Sequence, residues 1–121
     1  MDPLGSIQIR IMNHLWKHGG CTVHDVHQAF AADAPSKPLA YTTYLTVMRN
    51  LTRRGFLDQL KGNRAHTFVP LIDERSYKLA QVRHARQDLC GGDVSVLLGY
   101  LAQDDQIDAG KREQILAIAN G

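Results

Sequence analysis

The chain has 121 residues, 44% apolar and 21% charged, with a formal net charge of +2 and two cysteines. That length allows one or two small domains with a core that needs no staples, and the composition is that of a soluble globular protein rather than a disordered or fibrous one. No apolar run approaches the ~20 residues of a membrane span, and no basic stretch leads into an apolar one as in a secretory signal. Cys21 and Cys90 form no C-x-x-C pair, so a cytoplasmic protein with reduced thiols and no membrane insertion is expected.

Residues 7–18 read as a first helix, with Ile7, Ile11, Met12, Leu15 and Trp16 as an apolar stripe and Gly19-Gly20 as its stop. A second helix starts at Thr22 as N-cap, with Asp25 near the exposed amides of the first turn. It runs to about Ala32 and buries Val23, Val26, Ala29 and Phe30. Pro35 and Pro38 make residues 33–38 a loop. The stretch 40–54 is then the centre of the chain. Tyr44, Val47, Met48 and Leu51 fall three and four apart and share one helical face. Thr42, Thr43, Thr46, Arg49 and Arg53 lie on the other side, and no acid occurs from Ala40 to Arg54. Hydroxyls bond phosphates and base edges, and arginine grips guanine bidentately, so this reads as a DNA-recognition helix. An ordinary amphipathic helix with a solvated basic face is the plainer reading of the same residues. Gly55 supplies the left-handed cap.

The period changes after Gly55. Residues 56–60 and 65–69 read as two short strands, joined by Lys61-Gly62-Asn63-Arg64, a composition that fits a tight hairpin turn. Three helices and a basic-tipped hairpin give the order of a winged helix, with Lys61 and Arg64 placed to meet a phosphate backbone. Asp73 to about Leu89 reads as a long helix with acids early and bases late, as the helix dipole favours. Gly91-Gly92 break it, residues 94–101 form a strongly apolar helix, and Asp108 caps a last one with Ile107, Ile115, Leu116 and Ile118 as its apolar face. From Lys37 to Arg64 the chain carries six basic residues and one acid; from Gln87 to Gly121 it carries two basic residues and six acids. A basic block and an acidic end point to an anionic partner for the first and a different task for the second. The aliphatic surface of the last three helices calls for a partner. A second copy supplies it most economically, as a two-fold dimer through Val94, Leu97, Leu98, Leu101, Ile115 and Leu116; the alternative is packing back onto the winged helix.

These pieces, in this order, resemble the penicillinase-repressor family (the BlaI, MecI and CopY type) nearly end to end. Ile11-Met12-Asn13-His14-Leu15-Trp16 resembles its first helix, and Thr22-Val23 with Val26 its second. The run Leu39 to Met48 with Leu51, containing Thr43 and Thr46, resembles its recognition helix. Gly55, Leu57, Arg64, Phe68, Pro70 and Leu71 resemble its wing, and Gly91-Gly92 before an apolar helix its dimerisation region. The resemblance implies a mostly α (α+β) fold: a winged helix-turn-helix with a two-stranded wing at 1–71, then a helical dimerisation region at 72–121. It implies a bacterial homodimeric repressor on a pseudo-palindromic double-stranded DNA operator, released by an inducing signal, with Tyr41, Thr42, Thr43, Thr46 and Arg49 facing DNA and Arg64 at the wing. Arg53 and Lys61 join that set on the charge pattern above. It also implies a possible link to a BlaR-type membrane sensor-protease pathway.

Three positions depart from the family. Ala40 stands where a capping Ser is common, so Tyr41 or a loop group is expected to replace the cap. Copper-responsive members carry C-x-C motifs near the C-terminus, where this chain has only Cys90. The Asn-Phe pair cut in beta-lactam-responsive members corresponds to Gly99-Tyr100. Other readings are a metal-responsive repressor of the same fold, through His14, His18, Cys21, His24 and His27, a redox-responsive one through Cys21 and Cys90, and a winged helix that binds only protein. The histidines fit no zinc-finger spacing and read more simply as polar helix faces, so no metal or cofactor is expected. No phosphate loop, nucleophile elbow or catalytic acid pair marks an enzyme.

Overall fold

The computed structural model describes residues 3–33, 39–62 and 65–121. Six helices and one antiparallel hairpin follow the expected order: α1 (Ser6–His18), α2 (Val23–Asp33), α3 (Tyr41–Arg53), β1 (Leu57–Leu60), β2 (Thr67–Pro70), α4 (Glu74–Cys90), α5 (Val94–Ala102) and α6 (Ala109–Asn120). The chain divides into two compact units, Met1–Tyr77 and Lys78–Gly121.

The first unit is a winged helix. Ile11, Met12 and Leu15 of α1, Val26 and Phe30 of α2, and Tyr44, Met48 and Leu51 of α3 are buried together, and Leu57 and Phe68 close the core from the hairpin. Each helix contributes residues three and four apart because only that spacing keeps one face turned inward. In the hairpin, Leu57 pairs with Pro70, Asp58 with Val69, Gln59 with Phe68 and Leu60 with Thr67. The second strand starts later than its sequence implies. Ala65 and His66 are not paired, and Pro70, expected to end the strand, is its last member, where a missing N–H costs no ladder bond. The Asn63-Arg64 turn and the loop at 34–38 lie outside the described residues.

Helix ends follow local chemistry. Thr22 and Asp25 cap α2 reciprocally: the Thr22 hydroxyl accepts from the Asp25 amide at 3.1 Å, and the Asp25 carboxylate accepts from the Thr22 amide at 3.0 Å. Asp73 lies just before α4 rather than in its first turn, where its carboxylate accepts from the Ser76 amide at 2.9 Å. Asp93, which the sequence reading passed over, caps α5 through the Ser95 amide at 2.8 Å, and Asp108 caps α6 through the Lys111 amide at 3.2 Å. Ala40, the N-cap of α3, makes no side-chain cap bond; residues 34–38 of the loop expected to supply a substitute lie outside the described residues. Gly55 has φ of 83°, the left-handed conformation its position requires.

Two ties were not anticipated. Cys21 exchanges both backbone hydrogen bonds with Phe68, at 3.0 and 2.8 Å, adding a one-residue rung beside β2. Gly20 permits the approach, because a Cβ there would stand 2.7 Å from the Thr67 methyl. Tyr77, near the start of α4, completes the first core. It is 3% exposed, its hydroxyl accepts from the Leu4 amide at 2.9 Å, and its ring lies 6.0 Å from Trp16 and 5.7 Å from Phe56. The compact-unit boundary therefore falls after Tyr77, whereas the sequence placed it at 71/72.

In the second unit α5 packs against α6. Its buried apolar content is small: Cys90 is buried at the turn, while Leu89, Val94, Val96, Tyr100, Leu101, Leu116 and Ile118 are exposed. The Gly91-Gly92 turn, at φ of 58° and 83°, is held by Arg86, whose guanidinium donates to the Gly92 carbonyl at 2.6 Å.

Candidate nucleic-acid interface

The core fixes which side of α3 faces outward. With Tyr44, Met48 and Leu51 buried, the helical rotation of about 100° per residue puts Thr42, Thr46, Arg49 and Arg53 within an arc of about 60° on the opposite side. All four are exposed, as are Tyr41 and Thr43 on the flanks of that arc. The Thr46 hydroxyl donates to the Thr42 carbonyl at 2.9 Å. Its outward offering is therefore an acceptor lone pair and a methyl group. Arg53 donates to the Asn50 side chain one turn back, and Arg54 stacks over Phe56 at 5.2 Å. Among the described residues Arg49 has neither a hydrogen-bond partner nor an ion pair, so its guanidinium is available to a ligand. Lys61 is exposed at the hairpin end, and Arg64 lies outside the described residues.

A cleft of about 210 Å³ runs along the Arg49 side of this helix. Its walls come from three elements: Thr22, Val23 and His24 at the start of α2, Tyr41, Leu45 and Arg49 on α3, and Gln59, Ala65, His66 and Phe68 on the hairpin. The Gln59 side-chain amide hydrogen-bonds Nδ1 of His66. Among the described residues no acid lines the cleft. Sequence reading assigned His24 to a different group and left His66 in a strand. The missing signal was the hairpin register, which brings residue 66 back beside α2 and α3.

The five candidate metal ligands do not converge. His14 and His18 stack with ring centroids 4.4 Å apart, His27 packs against Tyr41 and Tyr44 at 6.0 and 5.7 Å, and Cys21 is buried. Among the described residues no three His, Cys, Asp or Glu side chains gather in a metal-holding group. Burial, with His18 second, holds His14 below the usual imidazole value, and burial raises the Cys21 thiol.

A family model described as penicillinase repressor matches residues 4–120. The chain belongs to the penicillinase-repressor family. Among relatives, the transcriptional regulator BlaI of Mycobacterium tuberculosis, in strains CDC 1551 / Oshkosh and ATCC 25618 / H37Rv, is 32% identical over 117 residues. That alignment spans 96% of this chain and 70% of the relative. The solution structure of the DNA-binding domain of the repressor BlaI is similar at a TM-score of 0.53 and 23% identity, over 61% of this chain and 87% of that one. That match shows the fold shared by the first unit. The penicillinase-repressor relatives are regulators of transcription, not enzymes. No helix among the described residues is long and apolar enough to cross a membrane.

Proposed function

We propose that this penicillinase-repressor chain represses transcription as a homodimer on a pseudo-palindromic operator, with α3 in the major groove and the hairpin against the backbone. The observation that carries the reading is the outer arc of α3, which is free of acids, rich in hydroxyls and backed by a winged-helix core. Thr42, Thr46 and Arg49 face base edges in this reading, Tyr41, Thr43 and Arg53 flank them, and Lys61 and Arg64 meet phosphates. The unit Met1–Tyr77 binds DNA. The unit Lys78–Gly121 joins the two copies through the apolar side chains that α5 and α6 leave exposed. An inducing signal then acts by lowering the occupancy of the operator.

The test is selection from a random duplex library, followed by gel-shift titration of the enriched sequence at several salt concentrations. An inverted repeat whose affinity falls steeply with salt is expected, because phosphate contacts release counterions. Recovery of no preferred sequence, or binding insensitive to salt, removes the operator-binding reading and favours a protein partner for the same face.

A further inference from the structure

The cleft beside α3 brings His24 of α2, Arg49 of α3 and His66 of the hairpin together from three elements, with no acid among the described residues that line it. We propose that this cleft seats one backbone phosphate of bound DNA, and that protonation of His24 and His66 tightens the grip. The proposal rests on the operator-binding reading above and adds a pH-sensitive contact to it.

The chemistry follows from the groups present. Histidine is the side chain that ordinarily changes charge between pH 5 and 8, and an imidazolium bonds phosphate through a charge-assisted hydrogen bond stronger than a neutral one. His24 and His66 are both exposed, so a ligand reaches them. When the Gln59 amide nitrogen donates to Nδ1 of the neutral His66 ring, Nε2–H is the remaining donor. Protonation at Nδ1 turns the Gln59 amide about, so that its oxygen accepts, and the ring gains a full charge without losing its orientation. Arg49 belongs to both surfaces, standing on the outer arc and in the cleft wall, so the seat lies next to the groove that α3 enters.

The surrounding charges point the same way. From α2 the nearby acid is Asp25, whose carboxylate is held by the Thr22 amide. From α3 the facing groups are Arg49 and Tyr41, and His27 packs on the Tyr41 ring. From the hairpin, Gln59 and His66 face the cleft, and Asp58 alternates to the other side of β1. Asp25 attracts charge on His24, so the repulsion that an entering anion relieves is chiefly that between Arg49 and a protonated His66.

Anisotropy titration of the full chain against a fluorescein-labelled duplex of mixed sequence tests this, since a phosphate contact carries no sequence. The wild type should bind roughly tenfold tighter at about pH 6 than at about pH 8, with the salt slope steeper at the lower pH by up to about one. The double variant His24→Gln, His66→Gln should keep the weaker affinity at both. The variant His24→Lys, His66→Arg should keep the tighter one at both, which separates charge from folding. A flat wild-type profile overturns the proposal, as does a pH response that survives the glutamine pair; either leaves the DNA reading intact. Absence of duplex binding at every pH overturns both. A second arm adds inorganic phosphate to the chain alone and follows the histidine ring protons. Ring shifts at His24 and His66 that coincide with a flat duplex profile assign the cleft to a free anion and overturn a backbone seat.

Discussion

Arg49 is the residue on which operator selectivity should turn. It is exposed on the outer arc of α3 and is unpaired among the described residues, whereas the guanidinium of Arg54 is stacked on Phe56 and that of Arg10 on Phe30. A guanidinium that is already packed loses that contact on turning to DNA; Arg49 loses none. Arg49→Ala should therefore cost about 1–3 kcal/mol on the selected operator, the range of a bidentate base contact, and less on a mixed duplex. Equal losses on the two duplexes would reassign Arg49 to the backbone. Single residues also set the pH limits of folding. His14 is held below the usual imidazole value by burial and by His18. The unfolded chain then binds the proton more readily, so stability is lost as pH falls from about 7 through the folded value. Asp25 and Asp73 are held low by the Thr22 and Ser76 amides. The stability they add is present above about pH 4 and is lost as pH falls through their lower folded values. Urea midpoints measured from pH 7.5 to 5 should decline for the wild type and decline less for His14→Gln. Parallel curves would mean that His14 does not contribute.

At the scale of elements, legibility followed how local the cause was. The helices of the first unit were readable because their buried positions repeat at three and four, and the caps at Thr22 and Asp108 because capping is decided within three residues. The Cys21–Phe68 rung was not readable: it joins residues 47 apart in sequence through backbone atoms, and backbone bonds leave no residue signature. Tyr77 was misjudged for a similar reason. Its partners Leu4, Trp16 and Phe56 come from distant segments, so its own helix gives no hint of burial. The exposed arc of α3 could be seen from its own residues, but the cleft could not, because three elements build it. The uncapped start of α3 offers a direct test of local control. Ala40 has the extended backbone of an N-cap (φ −69°, ψ 149°) and no side chain that accepts a bond. Ala40→Ser should therefore stabilise the first unit by about 0.5–2 kcal/mol in urea melts. A loss of stability would show that the exposed Ala40 methyl has a packing role.

For the whole molecule, the imbalance between the two units is the ground for the proposed dimer. The first has a continuous core from α1 to Tyr77. The second packs α5 on α6 yet exposes Leu89, Val94, Tyr100, Leu101, Leu116 and Ile118. Of the six side chains expected at the dimer interface, Val94, Leu101 and Leu116 are exposed, while Leu97, Leu98 and Ile115 are half-buried in this unit. The exposed set also includes Leu89 and Tyr100, which line an apolar groove of about 300 Å³ with Cys90 and Leu97. Apolar surface removed from water contributes about 25 cal/mol per Å², so a face of this kind gains most when a second copy covers it, and two-fold symmetry lets one patch cover itself. The acidic balance of residues 87–121 opposes contact with DNA, which is compatible with the proposed pairing of this unit with a second copy. Tyr100→Asp combined with Leu101→Asp places two carboxylates at exposed positions of α5. Sedimentation equilibrium should then show monomer where the wild type is dimeric, with the dissociation constant raised at least about 100-fold, since desolvating an unpaired carboxylate costs several kcal/mol. The variant should still bind a half-site duplex weakly and lose its preference for the inverted repeat. A variant that remains dimeric would move the interface off α5, and a wild type that sediments as a monomer would leave the repeat to be read by independent copies.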